Sequence, residues 1–588
     1  TNSVTNNGQI RWIAGGTNTQ AATSVFGGAG AMHIAGAGTT VLLGTNTFSG
    51  GTTIDTPGRV VAGSSAAFGT GPLTILNGSF ELPDGSPSTI TLGGFNQSGG
   101  SLSLHLGGTT PGTFTNLLVD GNTTLTGGTV FLENTTGTYI PRAGDLQNII
   151  STTPGNTLTG QFVSNLPDSS FFNPVLGQTI NYGLGNTLLY PTITYDANNA
   201  DILWVQDSFV VSPALTPNQN SVANALDNSN GPLIDLLVLA PIGDLPAIYD
   251  LIAPDEMNAM FQMGINAAEI QNTNITRHLQ QARQSAATTG ETTYGPDTTD
   301  AKGGMVTRGS PITGDSNRWS VFLEGTHGSA SRDATFGAAG YDLDSEGVTL
   351  GADMRVSDRF VFGILGAYDD RSANLSNGGD IEATGYRGAV FATWFQNNFF
   401  VDGLLGAGTT SYDTSRAAVA GFAEGETDGT EFSAMLNTGY NIRQGAWTIT
   451  PTASLAYTRV DIDGFTETGS LSPLRYPDQD QDSLRSELGV NLAYTIPVGS
   501  VTVTPQIRLA WQHEFMDTDS ISSGLAGANN GPLFNTSGAR TDRDRALFGV
   551  GVNVGITRNF SIYGYYDGQL GSSDNDYNTT TLGLKYDF

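Results

Sequence analysis

The chain has 588 residues, 78 glycines, no cysteine and a formal net charge of −30 from 24 basic and 54 acidic side chains. A surface this acidic repels phosphate backbones, which excludes nucleic-acid binding as a main role. The missing cysteine removes thiol catalysis, thiolate zinc sites and disulfides together, while the supply of Phe, Tyr, Trp, Val, Ile and Leu excludes wholesale disorder.

No run of about 18 apolar residues occurs, so no membrane-spanning helix is expected. The nearest approach, 233–240, is short, is interrupted by Asp235 and is ended by Pro241. This leaves a membrane β-barrel open, because its strands give a weaker hydropathy signal. Thr1 carries neither an initiator Met nor a signal peptide, and the chain is expected to be a processed form or a fragment.

To about residue 210 there are three basic residues, Arg11, Arg59 and Arg142. Short β-branched runs (40–43, 52–54, 73–76, 102–104) are separated by Gly-Gly, Asn-Gly or Thr-Gly, the pattern of strands and tight turns. Such spacing predicts a β-solenoid, right-handed β-helix-like, over 1–113, with a β-sandwich as the alternative. Longer strands over 114–212 predict a compact all-β junction. Residues 213–315 read as linker and helix, the helix covering about 254–285. Pro254, Asp255 and Glu256 suit a first helical turn, and Met257, Met260, Phe261 and Ile265 follow at helical spacing. Beyond Ile270 the pattern turns polar, and 286–315 is a Thr-, Gly- and Asp-rich linker.

From 316 to 588 the alternation is that of long, two-faced strands. Trp447, Ile449, Pro451, Ala453, Leu455 and Tyr457 interleave with Thr448, Thr450, Thr452, Ser454 and Ala456; Val501, Val503, Pro505, Ile507, Leu509 and Trp511 interleave with Thr502, Thr504, Gln506, Arg508 and Gln512. Strands of about 9 to 11 residues with terminal aromatics fit a bilayer's hydrocarbon core. Twelve segments are predicted, starting near 319, 346, 359, 382, 399, 430, 447, 483, 500, 543, 559 and 577. Short turns alternate with longer connections at 329–345, 413–429, 461–482 and 517–542, as in an antiparallel outer-membrane barrel with its long loops outside the cell. Thr450, Gln506, Arg508 and Glu514 fall on the lumen register.

The final strand, Leu582, Leu584, Tyr586 and Phe588 alternating with Gly583, Lys585 and Asp587, resembles the C-terminal signal read by the barrel-assembly machinery. With Gly340-Tyr341-Asp342, Gly347 to Asp353 and Tyr565-Tyr566-Asp567-Gly568-Gln569, the region looks like the autotransporter barrel of type V secretion. Upstream, Gly44 to Ile54 with Ala67-Phe68-Gly69-Thr70-Gly71 is similar to that family's passenger-associated β-strand repeat over 42–71, with Asn46, Phe48, Gly50, Gly51 and Ile54 as its marked positions. The resemblance implies a helix in the barrel lumen, its polar face at Asn274, Arg277, His278 and Gln281, and a passenger carried to the cell surface. It also implies partners: outer-membrane lipid, barrel-assembly machinery, periplasmic chaperones and a host or cell-surface ligand, for a monomer that binds no nucleic acid. Some relatives cut themselves at an Asn-Asn bond in the lumen helix; Gln271-Asn272-Thr273-Asn274 lacks that pair, so cleavage is not expected.

Five histidines, His33, His105, His278, His327 and His513, are scattered without metal-chelating spacing. No G-x-S-x-G elbow occurs. Asp478, Asp480 and Asp482 alternate like the opening of a calcium loop, but Ser483 and Gly489 stand where the loop needs Gly and Glu, so a solvated extracellular loop is expected. No catalytic residue, metal or cofactor is expected. The reading is a non-enzymatic transport-and-display protein with an adhesin-like or structural passenger. The alternatives are an outer-membrane channel or porin with a periplasmic extension, and an enzyme passenger whose active module precedes residue 1.

Overall fold

A computed structural model describes residues 2–82, 89–134, 137–173, 178–212, 214–289, 318–516, 520–527, 531–539, 542–570 and 575–588. It divides into two units, one of residues 1–211 with 234–245 and one of residues 212–233 with 246–588.

The first unit is a stack of parallel strands. Met32 pairs with Ile10 and Thr52, Leu73 with Thr52 and Phe95, and each step is 20 to 22 residues. One column of side chains, Ile34, Ile54 and Ile75, lies directly in register and is buried. A period-2 strand puts every second residue on this inward face, so short Thr/Ile/Leu runs suffice to fill a narrow core. The corners need glycine: Gly51 has φ +87°, and a Cβ there would press on Pro72 of the next rung. Parallel stacking continues past residue 113, through Thr123–Leu125 to Leu158–Gly160. It ends where the hairpin Leu189–Tyr195 and Asn199–Gln206 pairs antiparallel with Leu146–Thr152. That hairpin brings Trp204 against Tyr182 and Phe171 in a buried aromatic cluster, ring centroids 5.5 and 6.3 Å apart.

The second unit holds twelve long antiparallel strands: Trp319–Arg332, Tyr341–Ser357, Phe360–Leu375, Gly379–Gln396, Phe399–Ala418, Gly421–Tyr440, Trp447–Ile462, Gln479–Tyr494, Val501–Glu514, Asp544–Gly555, Phe560–Leu570 and Asn575–Asp587. The first pairs with both the second and the twelfth, which closes the barrel and leaves no edge. Leu405, Leu436, Leu488 and Leu582 are exposed on the outer face, whereas Arg387, Glu431 and Asn437 are buried inside. Aromatics near the short turns form one girdle, with Trp394 6.3 Å from Phe399 and Trp447 4.7 Å from Tyr494. Tyr368 and Tyr386, 5.3 Å apart, belong to the other.

Two expectations need correction. The connection expected over 413–429 is not a loop. The fifth and sixth strands run out to Ala418 and Gly421, and Ala420 turns the hairpin at φ +61°. The Asp478–Asp482 stretch is not a solvated loop either, since it enters the eighth strand at Gln479. Asp480 and Asp482 lie 3.2 and 3.7 Å from Arg459 on the neighbouring strand, and Asp478 accepts from the Gly464 N–H. The connections 463–478 and 515–543 also fold, contributing strands Phe465–Thr466, Leu474–Tyr476, Ser520–Leu525 and Phe534–Ser537 to a four-stranded sheet.

Before the barrel, helix Pro217–Asp227 begins with a capping box between Thr216 and Gln219. A 3₁₀ turn, Asp255–Asn258, then leads into the long helix Ala259–Thr289. The α-helix therefore starts five residues after Pro254 rather than at it. The linker expected at 286–315 lies, from residue 290 onward, outside the described residues.

Candidate pore and its lumen helix

The long helix passes through the barrel, held on several sides by the wall. Glu269 faces Arg485 of the eighth strand, accepts from Gln512 of the ninth at 3.0 Å and lies 3.4 Å from Arg545 of the tenth. Arg277 pairs with Asp567 of the eleventh strand and lies over the Tyr565 ring, 4.3 Å from its centroid. His278 Nε2 is 2.7 Å from Asp353 of the second strand, which also accepts from Ser320. Arg283 pairs with Asp402 of the fifth and donates to Thr393 at 3.0 Å. Neutral contacts fill in between: Thr581 with Asn274 at 3.1 Å, and Gln281 with the Tyr565 hydroxyl at 3.2 Å. The residues expected on the helix's polar face, Asn274, Arg277, His278 and Gln281, all lie at these contacts.

Charges can be buried here because each arrives with a partner; removing one partner of such a pair costs about 3–5 kcal/mol. The wall carries its own network, in which Arg387 bridges Asp369 (3.0 Å) and Glu431 (3.1 Å), and Arg508 bonds Glu487 and approaches Asp567 at 3.6 Å. Glu514 accepts from Ser483 at 2.5 Å and from Arg485 at 2.8 Å, and Thr450 donates to Asn441 at 2.8 Å. Gln506 lines the cavity beside Arg277 and Asn272.

The lumen is not wholly polar, contrary to expectation. Ile275 and Leu279, one turn apart on the helix, pack against Phe322, Leu365, Phe391 and Leu404 of the wall. His278 joins this patch, its ring 3.9 Å from that of Phe322. The helix therefore has an apolar stripe as well as a polar face, and the two set its rotation about its axis. Two isolated apolar residues within 271–283 gave little sequence signal, because their complement is spread over four strands.

At the outer mouth, loops close over the helix entry. Arg416 is fully buried with Glu467, donates to the Leu251 carbonyl at 2.7 Å, and shares Glu467 with the Tyr476 hydroxyl (2.9 Å). Asn218 bonds the Gly337 and Ser537 carbonyls at 2.7 and 2.9 Å, so helix Pro217–Asp227 rests on the same loops. Asp255 accepts from the Ala339 N–H at 2.6 Å. Burial and the neighbouring Asp255 charge push the Glu256 carboxyl up to about 8, so it sits here uncharged at neutral pH.

Residues 321–567 match the family model of the autotransporter β-domain. The barrel is an autotransporter β-domain. Autotransporter topology makes the barrel an outer-membrane structure and puts its passenger at the cell surface. The chain is 24% identical over 482 residues to an extracellular serine protease of Serratia marcescens, a match covering 76% of this chain and 43% of that protein. It is 26% identical over 283 residues to esterase EstA of Pseudomonas aeruginosa, covering 46% and 43%. The chain thus spans less than half the length of these curated relatives. Among solved structures, it is similar to the translocator domain of the autotransporter NalP from Neisseria meningitidis, at 14% identity and TM-score 0.39, covering 54% of this chain and 98% of that one.

These relatives overturn one expectation. The sequence points to a protein without enzymatic activity, yet the curated proteins it resembles include a serine protease and an esterase. Within the solenoid, Ser103 donates to Glu133 at 2.5 Å, and His105 Nε2 lies 3.6 Å from the other oxygen of the same carboxylate. The carboxylate thus stands between hydroxyl and imidazole, the wrong order for a histidine to draw off a serine proton.

Leu582, Leu584, Tyr586 and Phe588 are exposed on the outer face of the barrel. In the solenoid, Phe48 and Ile54 are buried in the core; Asn46 is buried too, receiving Gln20 Nε2 at 2.7 Å and the Phe26 N–H at 3.0 Å, and donating to the Ala67 carbonyl at 2.7 Å.

Proposed function

We propose that this chain is the delivery part of a surface hydrolase: the barrel carries a passenger outward, and the solenoid is the stalk on which a hydrolytic module stands. The observation that carries this reading is the 482-residue alignment with the Serratia serine protease, which extends well upstream of the barrel match at 321–567. The relatives are more than twice as long as the portion matched, which leaves room for a catalytic module in the whole protein. In this reading Asn274, Arg277, His278 and Gln281 seat the helix once transport is complete, and Leu582, Leu584, Tyr586 and Phe588 are the assembly signal. The marked repeat positions, Asn46, Phe48, Gly50, Gly51 and Ile54, form one solenoid corner and its core.

The experiment is labelling of intact cells that express the whole gene product with a membrane-impermeant fluorophosphonate, which tags active serine hydrolases. A labelled band that disappears after external protease treatment is the expected result. A passenger that reaches the surface without taking the label would overturn the serine-hydrolase reading while leaving transport intact.

A further inference from the structure

The short-turn end of the barrel opens into a vestibule lined by Gln280, Gln281, Arg283, Arg443, Arg558 and Lys585. Two of its cations are already matched: Arg283 by Asp402, and Lys585 by Asp587 at 2.9 Å. Arg443 and Arg558 are exposed, and no carboxylate among the described residues stands within ion-pair distance of either. Arg318 and Arg359 are exposed on the same rim, where the exposed acid Asp358 is engaged by Arg355 at 3.5 Å. Asp370, Glu382, Asp413, Glu424, Glu426 and Asp428 are exposed too, on the outward register of the long-loop halves of the third to sixth strands, away from this mouth.

The chain that must enter this vestibule is itself acidic. Residues 1–211 contain ten Asp and Glu against Arg11, Arg59 and Arg142, and no lysine. We infer that Arg443 and Arg558 form an electropositive entry site that captures the unfolded, acidic passenger segment of this same chain at the periplasmic mouth. The inference rests on the transport role of the barrel and is independent of the hydrolase reading.

Fields from fixed charges at the mouth of a low-dielectric channel raise the local concentration of the oppositely charged partner and speed its entry. Screening limits their reach to about 8 Å at physiological ionic strength, so the site acts on chain already at the mouth. It acts on the rate of capture and leaves the folded product unchanged, because the solenoid ends up outside whichever way it was captured.

The test is pulse-chase of the full chain in cells, scoring arrival of the passenger by external protease access and barrel folding by heat-modifiable gel mobility. R443E/R558E is expected to slow display by about threefold to tenfold with the barrel folded, and R443K/R558K to display at the wild-type rate. Asp55 and Asp120 are exposed in the solenoid, and D55K/D120K behind a wild-type barrel is expected to slow display in the same direction. Combined with R443E/R558E, D55K/D120K should cost less than the two penalties multiplied. Wild-type rates in R443E/R558E with a folded barrel would overturn the inference. So would a lysine variant as slow as the glutamate one, or independent penalties in the combined variant. If R443E/R558E does not fold, D55K/D120K decides alone: an unchanged rate sinks the proposal. Failure of the wild-type passenger to reach the surface at all would instead strike the transport role.

Discussion

In the solenoid the apolar column Ile34, Ile54 and Ile75 points inward and the exposed face carries Arg11, Thr53 and Asp55; in the barrel Leu405 and Leu436 point outward and the buried face carries Arg387, Glu431 and Asp402. Both regions use the same period-2 alternation, yet they invert which face is dry. The solenoid's interior is sealed by its own rungs, so burial of apolar surface holds it together. Lipid takes the apolar face of the barrel, and the interior must therefore satisfy its polar groups by pairing. That difference explains where the few basic residues went. Those inside the barrel, such as Arg277, Arg283 and Arg485, each have a carboxylate against them.

Two substitutions matched in size would break the comparison most directly. Phe95→Ala empties a fully buried position in the solenoid and is expected to cost about 3–5 kcal/mol. Limited proteolysis should then show residues 1–211 opening while the barrel keeps its heat-modifiable mobility. Glu269→Gln is expected to cost about 3 kcal/mol of helix seating, at the low end for a broken buried pair because Arg485 keeps Glu514. Planar-bilayer recording should show larger and more frequent openings, and the solenoid should be untouched. Unchanged conductance in Glu269→Gln would mean that the apolar stripe alone holds the plug.

An effect overlapping that of Glu269→Gln is expected from Leu405→Arg on the outer face, where the residue is 54% exposed. Placing Arg there is expected to cost about 2–4 kcal/mol in a bilayer, read as a lowered denaturant midpoint for folding into vesicles. No loss would mean that this face does not meet hydrocarbon. The smallest is Thr216→Ala, which removes the cap of helix Pro217–Asp227 and is expected to cost about 0.5–2 kcal/mol. It should show as faster protease cutting near residue 217 without change in the solenoid or the barrel strands. Cutting that spread into the barrel loops would show that this helix stabilises the outer mouth more than its cap alone does.

The periodic parts of this molecule are legible in its sequence. Alternation over Trp447 to Tyr457 and Val501 to Trp511 marked strands, the aromatics marked their ends, and twelve were countable. Glycine spacing marked the rungs. The fifth-to-sixth connection misled because Gly421, Gly425 and Gly429 look like loop residues, yet in the barrel they sit within a paired strand. The helix Pro217–Asp227 was missed although Thr216 and Gln219 stand at capping-box spacing, because its polar composition hides the signal.

What the sequence determined by itself was alternation, turn chemistry and charge balance, since each is a local property of neighbouring residues. It therefore pointed to a solenoid over a sandwich, to a largely polar helix and to a twelve-stranded barrel, and the parallel pairing of the rungs decided the first of these. Only the tertiary structure decided that Glu269 meets three strands, that Arg416 and Glu467 lock over Leu251, and that Ile275 and Leu279 find an apolar patch inside a pore. Those contacts depend on closure of the barrel and on the rotation of one helix within it. Both bring together residues far apart in the chain, such as Arg277 and Asp567, whose pairing leaves no period to read.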